Sequence, residues 1–234
     1  MKPPRMRVGV FHGPGYAGRM AEYVASLLEK AGHTVVSLFE PSEVAEVQAV
    51  VLGTGDVPAL VEQVKGHIRP HHIVMHVLPG QSLEPLAPLC GAGAVVGSVV
   101  PVWETRWAVE YTDEVSQTVL ELLVRECGAE AVLVPASKRA LLATGLSWLR
   151  FAEDVGAEAY GALSAALEDT NLGDGLRRER RTMRVLADVP VLEQQRAGIV
   201  DPGKARIFRQ LARRAAEQDG REEVELWAMQ EEER

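Results

Sequence analysis

Two rhythms of apolar and polar positions alternate along the first 135 residues. The run RVGVF (7–11) is rich in β-formers and ends in Gly13, Gly15 and Gly18, after which Ala21, Val24, Ala25, Leu27 and Leu28 recur at helical spacing until Gly32 supplies a stop. The order is strand, glycine turn, helix. TVVSLF (34–39) and AVVLG (49–53) read as the next strands, and Asp56 caps a helix carrying Leu60, Val61 and Val64 up to Gly66. HIVMHVL (72–78) and AVVGSVV (94–100) are unbroken apolar runs, as expected of strands buried on both faces of a parallel sheet. A helix capped by Thr112 or Asp113 follows, with Val115, Val119, Leu122 and Leu123 on one face and Gly128 at its end. AVLV (131–134) closes the pattern.

Strands alternating with helices predict a doubly wound, mostly parallel α/β sheet with right-handed crossovers and a ligand at the carboxyl ends of its strands. Beyond Pro135 the pattern is helical alone: Leu141, Leu142, Leu146, Leu149 and Ala152 mark one helix, residues 157–168 a second and 203–218 a third. The reading is a Rossmann-like domain over 1–135 and an all-helical domain over 136–234. GLRRERRTMR (175–184) is basic and REEVELWAMQEEER (221–234) acidic, so the two pair or stay solvated. No repeat or low-complexity stretch is evident.

Composition narrows the partners. With 234 residues, 47% of them hydrophobic, there is enough for a real core, and a net charge of −8 disfavours nucleic acid and anionic membranes. The chain has two cysteines, Cys90 and Cys127, with no charged-then-apolar leader and no apolar run near membrane-spanning length. The expectation is a soluble, cytoplasmic protein.

The glycine spacing is G-x-G-x-x-G, which is weak alone but here follows a strand and opens a helix. Gly13 would permit the tight turn, Gly15 would let the backbone approach a pyrophosphate, and Gly18 would let helix and strand pack closely. Pro14, Tyr16 and Ala17 complete the cofactor-facing turn. Glu40, 22 residues after Gly18, would accept from the adenosine ribose, and an acidic residue there favours NAD over NADP. A glycine-rich corner without ligand is the alternative.

The stretch VVLGTGDVPALVEQVKGHIRPHHIVMHVLPGQSLEPLAPLCGAGAVVGSVVPV (50–102) resembles the middle of the Rossmann domain in the 6-phosphogluconate-dehydrogenase-like superfamily. It is most similar to the small branch related to ketopantoate and pyrroline-carboxylate reductases. There a strand ends in a loop resembling GTGD, the next ends in a His before a Ser-Gly-like turn and a Leu-rich segment, and a further strand ends in Gly-Ser-x-His-Pro. Here those places read Gly53, Thr54 and Gly55, then His76 with PGQSLEPL, then GSVVPV. The resemblance implies NAD(P)-dependent reduction of a small carbonyl or imine, or the reverse oxidation, with Gly53, Thr54 and Gly55 at the cofactor and a helical domain that pairs as a homodimer. It also implies departures: Val100 replaces the His of the His-Pro pair, an aromatic-His pair falls in RALLATG, and the short span from Glu40 to Val50 truncates one sheet edge.

Three residues are candidates for catalysis. Lys138 matches a Lys often seen in the superfamily and would donate a proton or polarise a carbonyl, or is simply a helix-start residue. Glu104, in PVWETRW, would bind a cationic amine or act as an acid, or forms a salt bridge to Arg106. His76 and Ser82 flank the loop expected near the nicotinamide, though a His inside an apolar strand is more often a satisfied core residue. The cluster His67, His71, His72 and His76 alternates faces and lacks a carboxylate or thiolate at ligand spacing, so no metal is expected. Trp103, Trp107 and Trp148 wall a flat pocket or sit in the core or a dimer interface. No Ser-His-Asp order, G-x-S-x-G elbow or G-K-[ST] loop supports a hydrolase or ATPase. Two functions remain: an NAD(P)-dependent oxidoreductase, or a non-catalytic nucleotide-binding or scaffold protein. A stripe of Ile207, Leu211 and Ala215 beside Phe208 suggests a homodimer through the helical region.

Overall fold

A computed structural model describes residues 5–167 and 186–230, apart from the side chains of 154, 155, 158–163 and 165–167. The chain divides into two compact units, Met1–Arg139 and Ala140–Arg234.

The first unit is built on strands β1 (Arg7–His12), β2 (Thr34–Leu38), β3 (Ala49–Gly53), β4 (Ile73–His76), β5 (Val95–Trp103), β6 (Arg106–Tyr111) and β7 (Glu130–Leu133). Its helices are α1 (Gly15–Ala31), α2 (Val57–Val64), α3 (Ala87–Cys90) and α4 (Glu114–Glu126). The strands form one sheet in the order β2-β1-β3-β4-β5-β6-β7. The pairs from β2 to β5 are parallel, β6 is antiparallel to β5, and β7 is parallel to β6. The expected Rossmann-like, mostly parallel sheet is therefore present. A 3-10 helix, Pro41–Glu46, carries the chain from β2 to β3 on the other side of β1, which leaves β2 as an edge strand where the short span predicts a truncated edge.

The apolar runs behave as central strands should: every residue of β3 and β4 is buried. Helix α1 turns Met20, Ala21, Val24, Ala25 and Leu28 inward and ends at Gly32 in the left-handed conformation. Asp56 caps α2 by accepting from the Ala59 N–H, and Asp113 caps α4 by accepting from the Ser116 N–H.

Three features differ from the sequence reading. The inward face of α4 is Ser116, Leu120, Leu123 and Val124, not the face of Val115 and Leu122, which are 63% and 47% exposed. Gly97 on β5 explains the phase, because a side chain there would overlap Leu120. Ser116 tolerates burial because its hydroxyl donates to Asp113 Oδ1 at 2.8 Å. Second, β5 runs on to Trp103, turns at Glu104 and Thr105, and returns as β6, a strand the sequence reading missed. Its pairing is irregular between Pro101 and Trp103, where proline has no N–H to donate. Trp107 on β6 belongs to the core, whereas Trp103 is half exposed.

The third difference lies in the second unit, whose described residues form α5 (Arg139–Leu167), α6 (Val189–Ala197), α7 (Pro202–Asp219) and α8 (Glu222–Gln230). Two helices were expected across 141–168; α5 is continuous through Gly156, since one interior glycine costs a helix only about 1 kcal/mol. Trp148, Phe151 and Phe208 stack edge to face at 5.2–6.3 Å between α5 and α7. The Ser147 hydroxyl donates to Gln195 Oε1 at 2.6 Å, tying α5 to α6. On α7, Phe208, Ala212 and Ala215 face inward, while Ile207 is exposed and Leu211 half-buried, so the expected stripe divides between core and surface. The basic segment 175–184 lies outside the described residues.

Since Trp107 fills the core on a strand of six residues, Trp107→Ala is expected to cost about 3–5 kcal/mol. Urea denaturation followed by circular dichroism checks this through a lower midpoint at unchanged m-value.

Candidate functional site

The turn after β1 is locked to the end of β3. Gly13 N–H donates to the Gly53 carbonyl at 2.7 Å, and a Cβ on Gly13 would stand 2.6 Å from that oxygen. A Cβ on Gly18 would overlap the Gly13 carbonyl, and one on Gly53 would overlap the Phe11 carbonyl. Gly15 has φ 71°, in the left-handed region. The close-approach glycine is thus Gly13, and Gly15 is the conformational one.

Pro14 occupies the N-cap of α1 without a side-chain hydrogen bond, and no acidic residue lies in the first turn. Pro14 gives the first turn no side-chain cap, at the positive end of a 17-residue helix, a setting that suits an anion. The Tyr16 side chain is buried, which pushes its phenol up, so it serves the core. Thr54 lies against Gly13 and accepts from the Asp56 N–H at 3.2 Å, and Gly55 faces open space. The structure thus brings Gly13, Gly53 and Thr54 together at one corner.

Pairing of Phe11 with Leu38 sets the end of β2 beside this turn. Glu40 follows it, exposed, as the N-cap of the 3-10 helix, in a capping box with Glu43. The Glu43 carboxylate accepts from the Phe39 and Glu40 N–H groups at 2.6 and 2.9 Å, which holds its pKa below the ordinary range. Two neighbours escaped the sequence reading. Phe39 is 82% exposed, and His12 Nε2 lies 3.3 Å from the Ser37 hydroxyl. Their signal was position: His12 is the last residue of β1 and Phe39 the first beyond β2, where a side chain leaves the sheet.

Further along the same carboxyl edge, register places Leu52, His76, Ser98 and Glu110 in one row. His76 is fully buried, with its Nδ1 accepting from the Leu78 N–H at 3.2 Å and its Nε2–H donating to the Ser82 carbonyl at 3.2 Å. Burial, and after it the Arg139 charge, lower its pKa to about 3, so the ring is neutral. Arg139 Nε donates to Glu110 Oε2 at 3.0 Å. Ser98, Glu110 and Arg139 were missed because β6 was missed; once its register is known, a polar residue at each row position is visible.

Of the three catalytic candidates, Lys138 and Glu104 are exposed and His76 is buried. Lys138 is exposed in the 3-10 turn Ala136–Lys138. Glu104 is exposed at the hairpin tip, and Arg106 pairs with Glu130 at 3.5 Å, so the expected Glu104–Arg106 bridge is absent. Burial, and then the Glu104 charge, raise the pKa of Tyr23 on α1. The tip at Glu104 lies ~20 Å beyond Ser98 along the chain, at about 3.3 Å per residue, whereas His76 is Ser98's direct neighbour on β4. Among the described residues, no three His, Cys, Asp or Glu side chains are grouped to hold a metal ion, and no helix is long and apolar enough to cross a membrane.

Residues 135–231 match the family described as 6-phosphogluconate dehydrogenase C-terminal domain-like. Over those residues the chain is similar to the 6-phosphogluconate-dehydrogenase-like superfamily. The match lies outside residues 50–102 and points to the same superfamily as the resemblance read there. Solved structures share the fold at low identity. A protein described as an NADP oxidoreductase from Bacteroides fragilis aligns at 13% identity over 89% of this chain and 97% of its own, with TM-score 0.55. A pyrroline carboxylate reductase from Plasmodium falciparum, solved with NADP bound, aligns at 14% over 96% of both chains, with TM-score 0.52. A UDP-D-ManNAc dehydrogenase from Pyrococcus horikoshii aligns at 14% over 92% of this chain and 70% of its own, with TM-score 0.55. No curated protein sequence matches.

The buried His76 ring gives the protein a testable pH dependence. Its pKa is about 3 folded against the ordinary value of 6.5, so between these pH values the unfolded chain binds a proton that the folded chain does not. The stability is fully present above pH 6.5 and is lost as pH falls, by about 2 kcal/mol from His76 between pH 7 and pH 5. Urea midpoints at the two pH values should show this loss, and His76→Asn should flatten it.

Proposed function

We propose that the protein binds a nicotinamide dinucleotide across the Gly13–Gly18 turn and transfers hydride between it and a small carbonyl or imine compound, or the corresponding alcohol or amine. The observation that carries this reading is the α1 N-terminus: an uncapped helix start behind glycines whose side chains are barred, at the carboxyl edge of a parallel sheet. The donor set fits a pyrophosphate, because backbone N–H groups at a helix N-terminus favour negative charge and nothing acidic competes in the first turn. The names of the similar structures support the same chemistry, two of them naming NADP and the third a dehydrogenase.

When bound, the dinucleotide supplies or takes up the hydride. The protein's part is to hold and orient. The first-turn N–H groups of α1 take the pyrophosphate, the Gly53–Thr54–Gly55 loop borders it, and the exposed Glu40 carboxylate accepts from the ribose hydroxyls. That carboxylate would repel a 2′-phosphate, so NAD is the favoured form. His76, neutral and held at both nitrogens, acts as a positioning residue by fixing the Ser82 loop. Lys138, exposed in the turn before α5, is the proposed proton donor. A non-catalytic binding protein is the second reading, favoured by the distance along β5 between Glu104 and the row that holds His76. Turnover with keto acids and cyclic imines decides between the two.

Titration of NADH and NADPH into the full-length chain, read by nicotinamide fluorescence, tests the binding claim. NADH should bind the more tightly. Gly15→Val places a branched side chain at φ 71° against the pyrophosphate path and should weaken binding about tenfold or more with circular dichroism unchanged. Unchanged affinity would remove the reading.

The second unit leaves Leu141, Ile207, Leu226 and Met229 exposed, apolar surface that supports a homodimer through its helices. Light scattering at micromolar concentration should give a mass near twice that of the chain; the mass of a single chain would overturn the assembly.

A further inference from the structure

Just past β2, two glutamates three residues apart hold one another. Glu40, the N-cap of the 3-10 helix Pro41–Glu46, accepts from the Glu43 N–H through its side chain. In return Glu43 Oε2 accepts from the Glu40 N–H at 2.9 Å and from the Phe39 N–H at 2.6 Å. One oxygen thus pins two successive residues. The usual capping box has serine or threonine at the N-cap, whose short side chain is spent on the cap, whereas a glutamate brings a second oxygen and a longer reach. A carboxylate that accepts one bond keeps about three of its four lone-pair sites, enough for a pair of neighbouring hydroxyls.

Glu40 is exposed, and a free glutamate at a surface samples many rotamers. Ordering such a side chain on binding weakens affinity by about two- to tenfold. Glu43 removes that cost from both ends, because its N–H holds the Glu40 carboxylate and its own carboxylate holds the Glu40 backbone through charge-assisted bonds. The benefit reaches one form of the dinucleotide only. A ribose 2′-hydroxyl can donate to a carboxylate so placed, and an ionised 2′-phosphate cannot.

We infer that Glu43 is a positioning residue that clamps Glu40 and thereby sets the preference for a dinucleotide with a free 2′-hydroxyl over one with a 2′-phosphate. Resting on the dinucleotide reading above, this assigns the discrimination to the pair and not to Glu40 alone.

The test is titration of NADH and NADPH into the full-length chain and its variants, read by nicotinamide fluorescence, with circular dichroism as the check on folding. Glu43→Ala should weaken NADH about fivefold and leave NADPH within about twofold, so that the ratio of the two affinities narrows. Loss of a merely structural turn would move both dinucleotides equally and leave the ratio alone. Glu43→Gln keeps an oxygen for the two N–H groups and should retain the wild-type ratio. Glu40→Ala should narrow the ratio as well, and adding Glu43→Ala to it should narrow it no further. An unchanged ratio in Glu43→Ala, a Gln variant that loses the ratio as fully as the Ala variant, or further narrowing in the double variant overturns the positioning role. A wild-type chain that binds neither dinucleotide sinks the dinucleotide reading itself, and one that does not prefer NADH sinks the ribose role of Glu40. Preference for NADH with no change in Glu43→Ala sinks the role of Glu43 alone.

Discussion

The main-chain hydrogen bond from Gly13 to Gly53 holds the corner on which the first unit's carboxyl edge is organised. It draws the turn after β1 against the end of β3 so closely that neither Gly13, Gly18 nor Gly53 can carry a side chain. The start of α1 is then fixed relative to the sheet by backbone alone, and its first N–H groups point where side chains have been excluded. Rigidity at this corner is obtained without a polar side chain, which keeps its electrostatics simple: the helix end is positive and nothing nearby in the first turn cancels it.

The opposite design governs the row at β4, β5 and β6. There the sheet brings ionisable and hydroxylic side chains into a dry setting, where a bond left unmade costs more than in water. The buried pair of Arg139 and Glu110 balances in charge but not in donors and acceptors, and the imbalance falls on the guanidinium. His76 is the counterexample in the same row, with each nitrogen satisfied by the backbone of its own loop. Side by side, the two separate a polar group that serves the fold from one with capacity to spare.

How far the sequence was legible follows from where the information sits. Central strands such as AVVLG announce themselves because both faces are covered, and Asp56 and Asp113 declare helix starts because capping is a local contact. β6 escaped because it mixes an aromatic, a carboxylate and an arginine without a simple alternation, and only its pairing with β5 makes it a strand. The face of α4 escaped for a related reason: Gly97, far away in sequence, provides the space that Leu120 fills. At the site, the glycine turn was legible as a motif, whereas nothing local to Arg139 marked it out, since its partner Glu110 lies 29 residues away on β6.

The β5–β6 hairpin bears on how such a chain can change over time. β5 continues five residues past Ser98 before reversing, so the tip at Glu104 and Thr105 is separated from the row by paired backbone. Insertions there, made two residues at a time, would preserve which side chains face inward and leave Ser98 opposite Glu110. The tip is therefore a place where new length and new chemistry can accumulate by descent while the polar row beneath it stays in register, so that evolution can vary the rim of the sheet independently of its interior.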